Sequence, residues 1–264
     1  MSVDTYVERA RTRVRTEREA VDEKRAAFER FDRRVRSISA EPTPTASAAA
    51  TAVTGPERRV NSAGDARCRE VRRAFDETVR PHSLDDVEDA DDESLLETVR
   101  SELTESVALA LSPTTDAPFG PRLKRTIVGE ATARRNEVVA LAGALAREAE
   151  HLSDAGDVVD NVTERIVALD ETPLTALGFE ALEARHETLA DLRTRCADLA
   201  RRRQAFLEET TSNGVEAGVS HRQLPPYLYR DFPVDHPVLA TAATLDATCD
   251  ECQRAVRKHL VRRA

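Results

Sequence analysis

A heptad repeat of apolar residues organises residues 122–169. Apolar or small side chains recur there at alternating steps of three and four, interrupted by Arg135: Val128, Ala131, Val138, Ala142, Leu145, Ala149 and Leu152. This spacing is typical of a long helix that packs one narrow stripe against its neighbours. Near Gly156 the stripe shifts by one step, so the helix either continues through a local distortion or breaks there. We predict one long, imperfect helix.

A second heptad repeat covers residues 2–39, where every stripe position from Val3 to Ile38 is apolar except Glu17 and Lys24. It predicts a separate N-terminal coiled-coil helix at 1–40. Residues 41–64 are rich in Pro, Ala, Ser and Thr and predict a flexible linker, the most mobile internal segment and the first to be cut by proteases. A helical bundle is predicted at 65–264.

The bundle is assigned three long helices at about 122–169, 179–209 and 237–263, with shorter helices at about 65–79 and 94–111. Ser94 and Glu97 have the spacing of a capping box at a helix start. Short connections favour antiparallel neighbours. The predicted fold is all-α, an elongated antiparallel helical bundle or coiled-coil array of about six helices.

Residues 211–236 lack helical periodicity and contain Tyr227, Tyr229 and Phe232 between prolines. Their alternation predicts an extended, strand-like run. We expect these rings to cover the end of the bundle. The alternative is a patch on which a partner docks.

Composition supports narrow seams rather than a thick core, because 33% of residues are charged and only 4% are aromatic. The net charge is -9, and lysine occurs only at Lys24, Lys124 and Lys258. An acidic, lysine-poor chain indicates a halophilic protein, although a high-GC bacterium of ordinary salinity is the alternative. The sequence shows neither a signal peptide nor an apolar run of membrane-spanning length, so a soluble cytoplasmic protein is expected.

Four stretches carry a likeness to a known family: YLYRDFPVDHPVLAT at 227–241, QRAVRKHL at 253–260, TPLTALGF at 172–179 and FGPRLK at 119–124. They resemble an uncharacterised haloarchaeal family of all-helical proteins. The resemblance covers most of the chain outside residues 41–64. It implies a salt-adapted helical protein and brings no catalytic residue, metal ligand or cofactor.

Two sets of residues are candidates for metal chemistry. Cys249 and Cys252 form a C-x-x-C pair that could hold zinc or act as a redox sensor if further ligands, such as Cys68 and Cys196, came near. All four occupy apolar stripe positions, which favours core packing. Glu148-x-x-His151 and Glu183-x-x-His186 have the spacing of a di-iron site, with Glu17 as a further ligand. The register argues against it, because His151 and Glu183 are predicted to point outward.

The sequence lacks the phosphate-binding and hydrolase signatures of common enzymes, so we assign no catalytic, cofactor-binding or metal-binding residue. The arginine runs at 58–59 and 201–203 are interpreted as ion-paired surface, which argues against nucleic-acid binding. The leading hypothesis is a scaffold or adaptor that contacts a protein partner or a second copy through its heptad seams. The polar stripe residues Glu17, Lys24, Arg135 and Arg203 are expected to fix helix register, with Glu17 paired to Arg135 or Arg203.

Overall fold

The computed structural model describes residues 5–41, 57–83, 94–115, 118–212 and 224–263, and the regular elements in these ranges are all helical. The all-α prediction is confirmed. The eight α-helices of these ranges are α1 (Tyr6–Ser37), α2 (Glu57–Thr78), α3 (Leu95–Glu102), α4 (Glu105–Leu111), α5 (Pro121–Asp170), α6 (Phe179–Ser212), α7 (Leu224–Leu228) and α8 (Pro237–Val261). None of them combines the length and the apolar character that a bilayer crossing requires.

Helix α5 is continuous over 50 residues, as predicted. Its buried face contains Leu145, Leu152, Ala155 and Val159. The apolar stripe therefore continues past Gly156, where the sequence had left a break of the helix as the alternative. At Gly156, a Cβ would lie 3.0 Å from Nη1 of Arg11. The missing side chain therefore leaves room for an arginine to cross the helix surface.

Two boundaries differ from the prediction. Helix α2 already begins at Glu57, because glutamate and arginine at its start favour a helix. The predicted helix at 94–111 is divided into α3 and α4. The Thr104 hydroxyl caps α4 by accepting a hydrogen bond from the Val107 N–H, while Leu103 leaves helical geometry. The Ser94–Glu97 capping box is confirmed. Residues 42–56 of the predicted linker and the acidic run at 85–93 lie outside the described residues.

The chain forms two compact units. We call Met1–Arg18 with Gly143–Ala264 the terminal unit, and Glu19–Ala142 the central unit. Helices α1 and α5 contribute residues to both.

The central unit has an apolar core in which Phe31 packs edge-on against Phe75, with ring centroids 5.4 Å apart. The core also contains Phe28, Val35, Val71, Val99, Leu111, Phe119 and Ile127. Phe28, Phe31 and Val35 come from the predicted stripe of α1, and all three are fully buried.

In the terminal unit, α6 runs antiparallel to both α5 and α8. Arg195 bonds Asn161 near one end of the α5–α6 pair, and Arg203 bonds Glu148 near the other. Gln253 of α8 donates to the carbonyl of His186 on α6, and Arg193, further along α6, donates to Asp246, which comes earlier in α8. Between these three helices lies a core of Val162, Leu182, Leu189, Leu192, Cys196, Cys249 and Val256. For α5 and α6, which a short connection joins, the antiparallel arrangement agrees with the prediction.

Candidate functional site

Three polar side chains meet inside the terminal unit and form what we call the Glu148 network. Glu148, Arg203 and Tyr229 are 2%, 0% and 2% exposed. Arg203 donates from Nη1 to Glu148 Oε2 at 2.9 Å and from Nη2 to Oε1 at 2.8 Å. The Tyr229 hydroxyl donates to the same Oε1 at 2.5 Å. The network thus joins α5, α6 and the turn that follows α7.

The geometry suits a buried charge, which is costly unless it is both paired and hydrogen-bonded. The planar guanidinium matches the carboxylate with two parallel bonds, and the phenol occupies a remaining lone pair. Burial raises the pKa of the Tyr229 phenol, and the nearby Glu148 carboxylate raises it further. Tyr229 therefore remains a hydrogen-bond donor.

Phe206 of α6 lies beside this network. The Arg203 guanidinium carbon is 5.3 Å from its ring centroid, and the His151 ring is 4.4 Å from it at an angle of 36°. Burial and the Arg203 charge lower the pKa of His151 below its usual value, and its interactions with Glu148 and the Arg202 backbone do not offset this. The imidazole is therefore biased towards its neutral form.

Two buried nitrogens near Phe206 have no hydrogen-bond partner within the described residues: His151 Nδ1 and Arg203 Nε. His151 also borders a pocket of about 240 Å³ between α5 and α6. We call this the α5–α6 pocket. Its lining consists of His151, Asp154, Ala155, Leu199, Arg202, Ala205, Phe206 and Glu209.

The aromatic tract lies against the N-terminal part of α1. The Tyr227 hydroxyl donates to Glu17 Oε1 at 2.8 Å, and the Arg9 guanidinium carbon lies 5.2 Å from the Phe232 ring centroid. Tyr229 is buried, whereas Tyr227 and Phe232 are half-buried. The rings therefore do cover part of the bundle.

The predicted extended run is wrong, because Tyr227 belongs to helix α7 and Phe232 to the turns after it. Pro225 and Pro226 lie in the first turn of α7, where a helix does not use the missing N–H groups.

The polar stripe residues are withdrawn from open solvent, but Glu17 has different partners from those predicted. Besides Tyr227, Glu17 has Arg13 at 3.6 Å, while Arg203 is taken by Glu148. Arg135 is only half-buried.

A second buried carboxylate lies in the central unit. Glu102 of α3 accepts from Lys24 Nζ at 2.6 Å and from Arg134 Nε at 3.1 Å. Burial alone would raise its pKa, but the charges and hydrogen bonds of Lys24 and Arg134 outweigh burial and lower the pKa. Glu102 is therefore held as an anion that connects α1, α3 and α5.

The thiols lie in apolar surroundings. Cys196 and Cys249 are buried in the core of the terminal unit, and Cys68 lies in that of the central unit. Burial raises the pKa of Cys196 and that of Cys249 to about 11. Burial also raises the pKa of Cys252. The raised pKa values keep Cys196, Cys249 and Cys252 as neutral thiols, unlike the thiolates of reactive cysteines.

The two Glu-x-x-His motifs do not converge. Glu148 is engaged by Arg203, Glu183 is exposed as predicted, and His151 is half-buried against Phe206 instead of pointing outward. Within the part of the chain that the structure describes, no three potential metal ligands form a cluster. The arginine run at 201–203 is divided: Arg201 pairs with Asp198 on the surface as predicted, whereas Arg203 is buried.

Fold and site together define an all-α helical protein whose terminal unit contains a buried carboxylate–guanidinium–phenol network. The chain belongs to the family described as Domain of unknown function (DUF7260), which matches residues 5–253. The family agrees with the uncharacterised helical family indicated by the sequence. A search of the curated proteins finds no match. A search of the solved structures finds none either.

Proposed function

We propose that this protein is a scaffold or adaptor that works in the cytoplasm by binding other proteins. The observation that carries the proposal is that both buried carboxylates of the described ranges are saturated by the chain itself. Glu148 is held by Arg203 and Tyr229, and Glu102 by Lys24 and Arg134. Polar groups used in this way fix the register of neighbouring helices, and both buried carboxylates are occupied by donors of the chain itself.

A partner protein or a second copy would contact the outward faces of the long helices. The predicted stripes are largely buried within the chain. Exposed apolar side chains remain on the surface, among them Val167 near the end of α5 and Phe179 at the start of α6. Both flank the connection between these helices in sequence. Exposed apolar groups of this kind are common at protein–protein contacts.

The surface chemistry supports a halophilic, haloarchaeal origin. The net charge is -9, and the chain has three lysines. At 1 M salt the Debye length falls to about 3 Å, so the repulsion between carboxylates is screened and an acidic surface is tolerated. The same net charge disfavours nucleic acid as a partner. The antiparallel pairs α5–α6 and α6–α8 support a coiled-coil type of packing.

The proposal is tested with the full chain in concentrated salt. Sedimentation velocity over a range of protein concentrations measures self-association, and crosslinking in native cells followed by mass spectrometry identifies a stoichiometric partner. We expect a complex in one of the two experiments, weakened by Val167→Glu combined with Phe179→Glu. The control is Leu109→Glu, at an equally exposed apolar position on α4. A monomer without a stoichiometric partner would overturn the proposal.

A further inference from the structure

The α5–α6 pocket is bordered by charged side chains of both signs. Asp154 and Glu209 contribute carboxylates, and Arg202 contributes a guanidinium.

The rest of the lining is apolar. Ala155 comes from α5, and Leu199, Ala205 and Phe206 come from α6. Phe206 also has the His151 ring stacked against it at 4.4 Å. Such a surface suits a small hydrocarbon group, as is usual for pockets that bind small molecules with a few well-placed polar contacts.

A ligand with a charge of only one sign does not match this lining. A cation would be attracted by Asp154 and Glu209 but repelled by Arg202. An anion would be attracted by Arg202 but repelled by the two carboxylates. A zwitterion with an apolar group satisfies both signs of charge and the apolar wall at once.

We propose that the α5–α6 pocket binds a free α-amino acid with an apolar side chain. The ammonium group lies towards Asp154 and Glu209. The carboxylate lies against the Arg202 guanidinium. The side chain packs on Leu199 and Phe206.

The test is isothermal titration of the full chain with L-leucine as the probe. L-leucine amide, which lacks the carboxylate, and 4-methylpentanoic acid, which lacks the ammonium group, serve as matched ligands. Each should bind about 10-fold to 100-fold more weakly than L-leucine, because a hydrogen bond to a charged group contributes about 1.5–3 kcal/mol.

Variants locate the binding site. Arg202 is exposed, so Arg202→Gln should leave the fold intact and remove most of the preference for L-leucine over its amide. Asp154→Asn should weaken the binding of L-leucine. Arg201→Gln is the control, since Arg201 is exposed and is absent from the pocket lining. Three results would overturn the proposal: no saturable binding in the millimolar range, equal affinity for L-leucine and its amide, or an unchanged affinity in Arg202→Gln.

Discussion

At the scale of single residues, the three consecutive arginines 201–203 show how position decides the role of a side chain. The side chain of Arg201 is 72% exposed beside Asp198, whereas that of Arg203 is 1% exposed and holds Glu148. An exposed ion pair contributes about 0–1 kcal/mol, because water and salt screen it. Removal of one partner of a buried pair leaves an uncompensated charge and costs about 3–5 kcal/mol.

Arg203→Met should therefore lower the free energy of unfolding by about 3–5 kcal/mol, measured by urea denaturation in concentrated salt. The matched control Arg201→Met should change it by at most about 0.5 kcal/mol.

The double variant Arg203→Met with Glu148→Met separates the charge effect from lost packing. It removes both charges and leaves mainly the Tyr229 hydroxyl without its partner, at about 1–3 kcal/mol. We expect the double variant to be more stable than Arg203→Met alone. The single variant Glu148→Met completes the comparison. If the losses in free energy of unfolding of Arg203→Met and Glu148→Met simply add in the double variant, the pair is not coupled and the Glu148 network does not have the role assigned to it.

Glu102 gives a prediction on pH. Since its pKa is lower in the folded protein than the usual 4.5, the anion stabilises the fold above that pH, and this stabilisation is lost as the pH falls through the folded value. Glu102→Gln should therefore lower the melting temperature at neutral pH, and the difference from the wild type should shrink below pH 4.5.

Thermal melting across a pH series measures this effect. Glu105→Gln is the control, because Glu105 forms a surface pair with Arg100 in which both side chains are more than half exposed. A difference between Glu102→Gln and the wild type that stays constant with pH would contradict the role given to Lys24 and Arg134.

At the scale of elements, α5 offers two glycines in different surroundings. A Cβ at Gly129 would meet nothing within 4 Å, whereas a Cβ at Gly156 would lie 3.0 Å from Nη1 of Arg11. Alanine is favoured over glycine inside a helix by about 1 kcal/mol. Arg11 is contacted at the end of a flexible side chain, which can move aside.

We therefore expect Gly129→Ala to raise the free energy of unfolding by up to about 1 kcal/mol, and Gly156→Ala to raise it by less. Urea denaturation of both variants checks this order. A clear destabilisation by Gly156→Ala would show that the Arg11 crossing cannot adjust.

The long helices could be predicted because their apolar spacing is a local property of the sequence. The stripe of α1, including Val7, Val14 and Phe28, is buried as predicted. The division of α3 from α4 was missed because Thr104 caps a helix where the apolar repeat alone would continue. Helix α7 was missed because residues that precede proline usually avoid helical geometry, although prolines are accepted in a first turn.

The candidate site was harder to predict than the helices. Glu148 and Arg203 were both noted in the sequence, one in a metal motif and one as a polar stripe residue. They are 55 residues apart in the chain and on different helices. Their pairing depends on how α5 and α6 are aligned, which the periodicity of each helix does not specify. The Tyr229 contact depends in addition on the path of the chain after α7.

At the scale of the whole molecule, the buried carboxylates of the terminal unit and of the central unit each hold helices of their own unit together. In each unit a buried carboxylate receives donors from two other parts of the same unit. The buried thiols of Cys196 and Cys249 are weakly ionised by comparison with reactive thiols. The buried polar groups therefore hold helices together, and the proposed association with other proteins involves the outer surface.

Native mass spectrometry of the full chain, isolated from its own cells without chelator, tests this account most directly because one spectrum reports both bound metal and bound protein. We expect a metal-free chain in a stoichiometric complex with a partner protein or a second copy. A chain that carries zinc or iron in stoichiometric amount, or a metal-free monomer, would contradict the account.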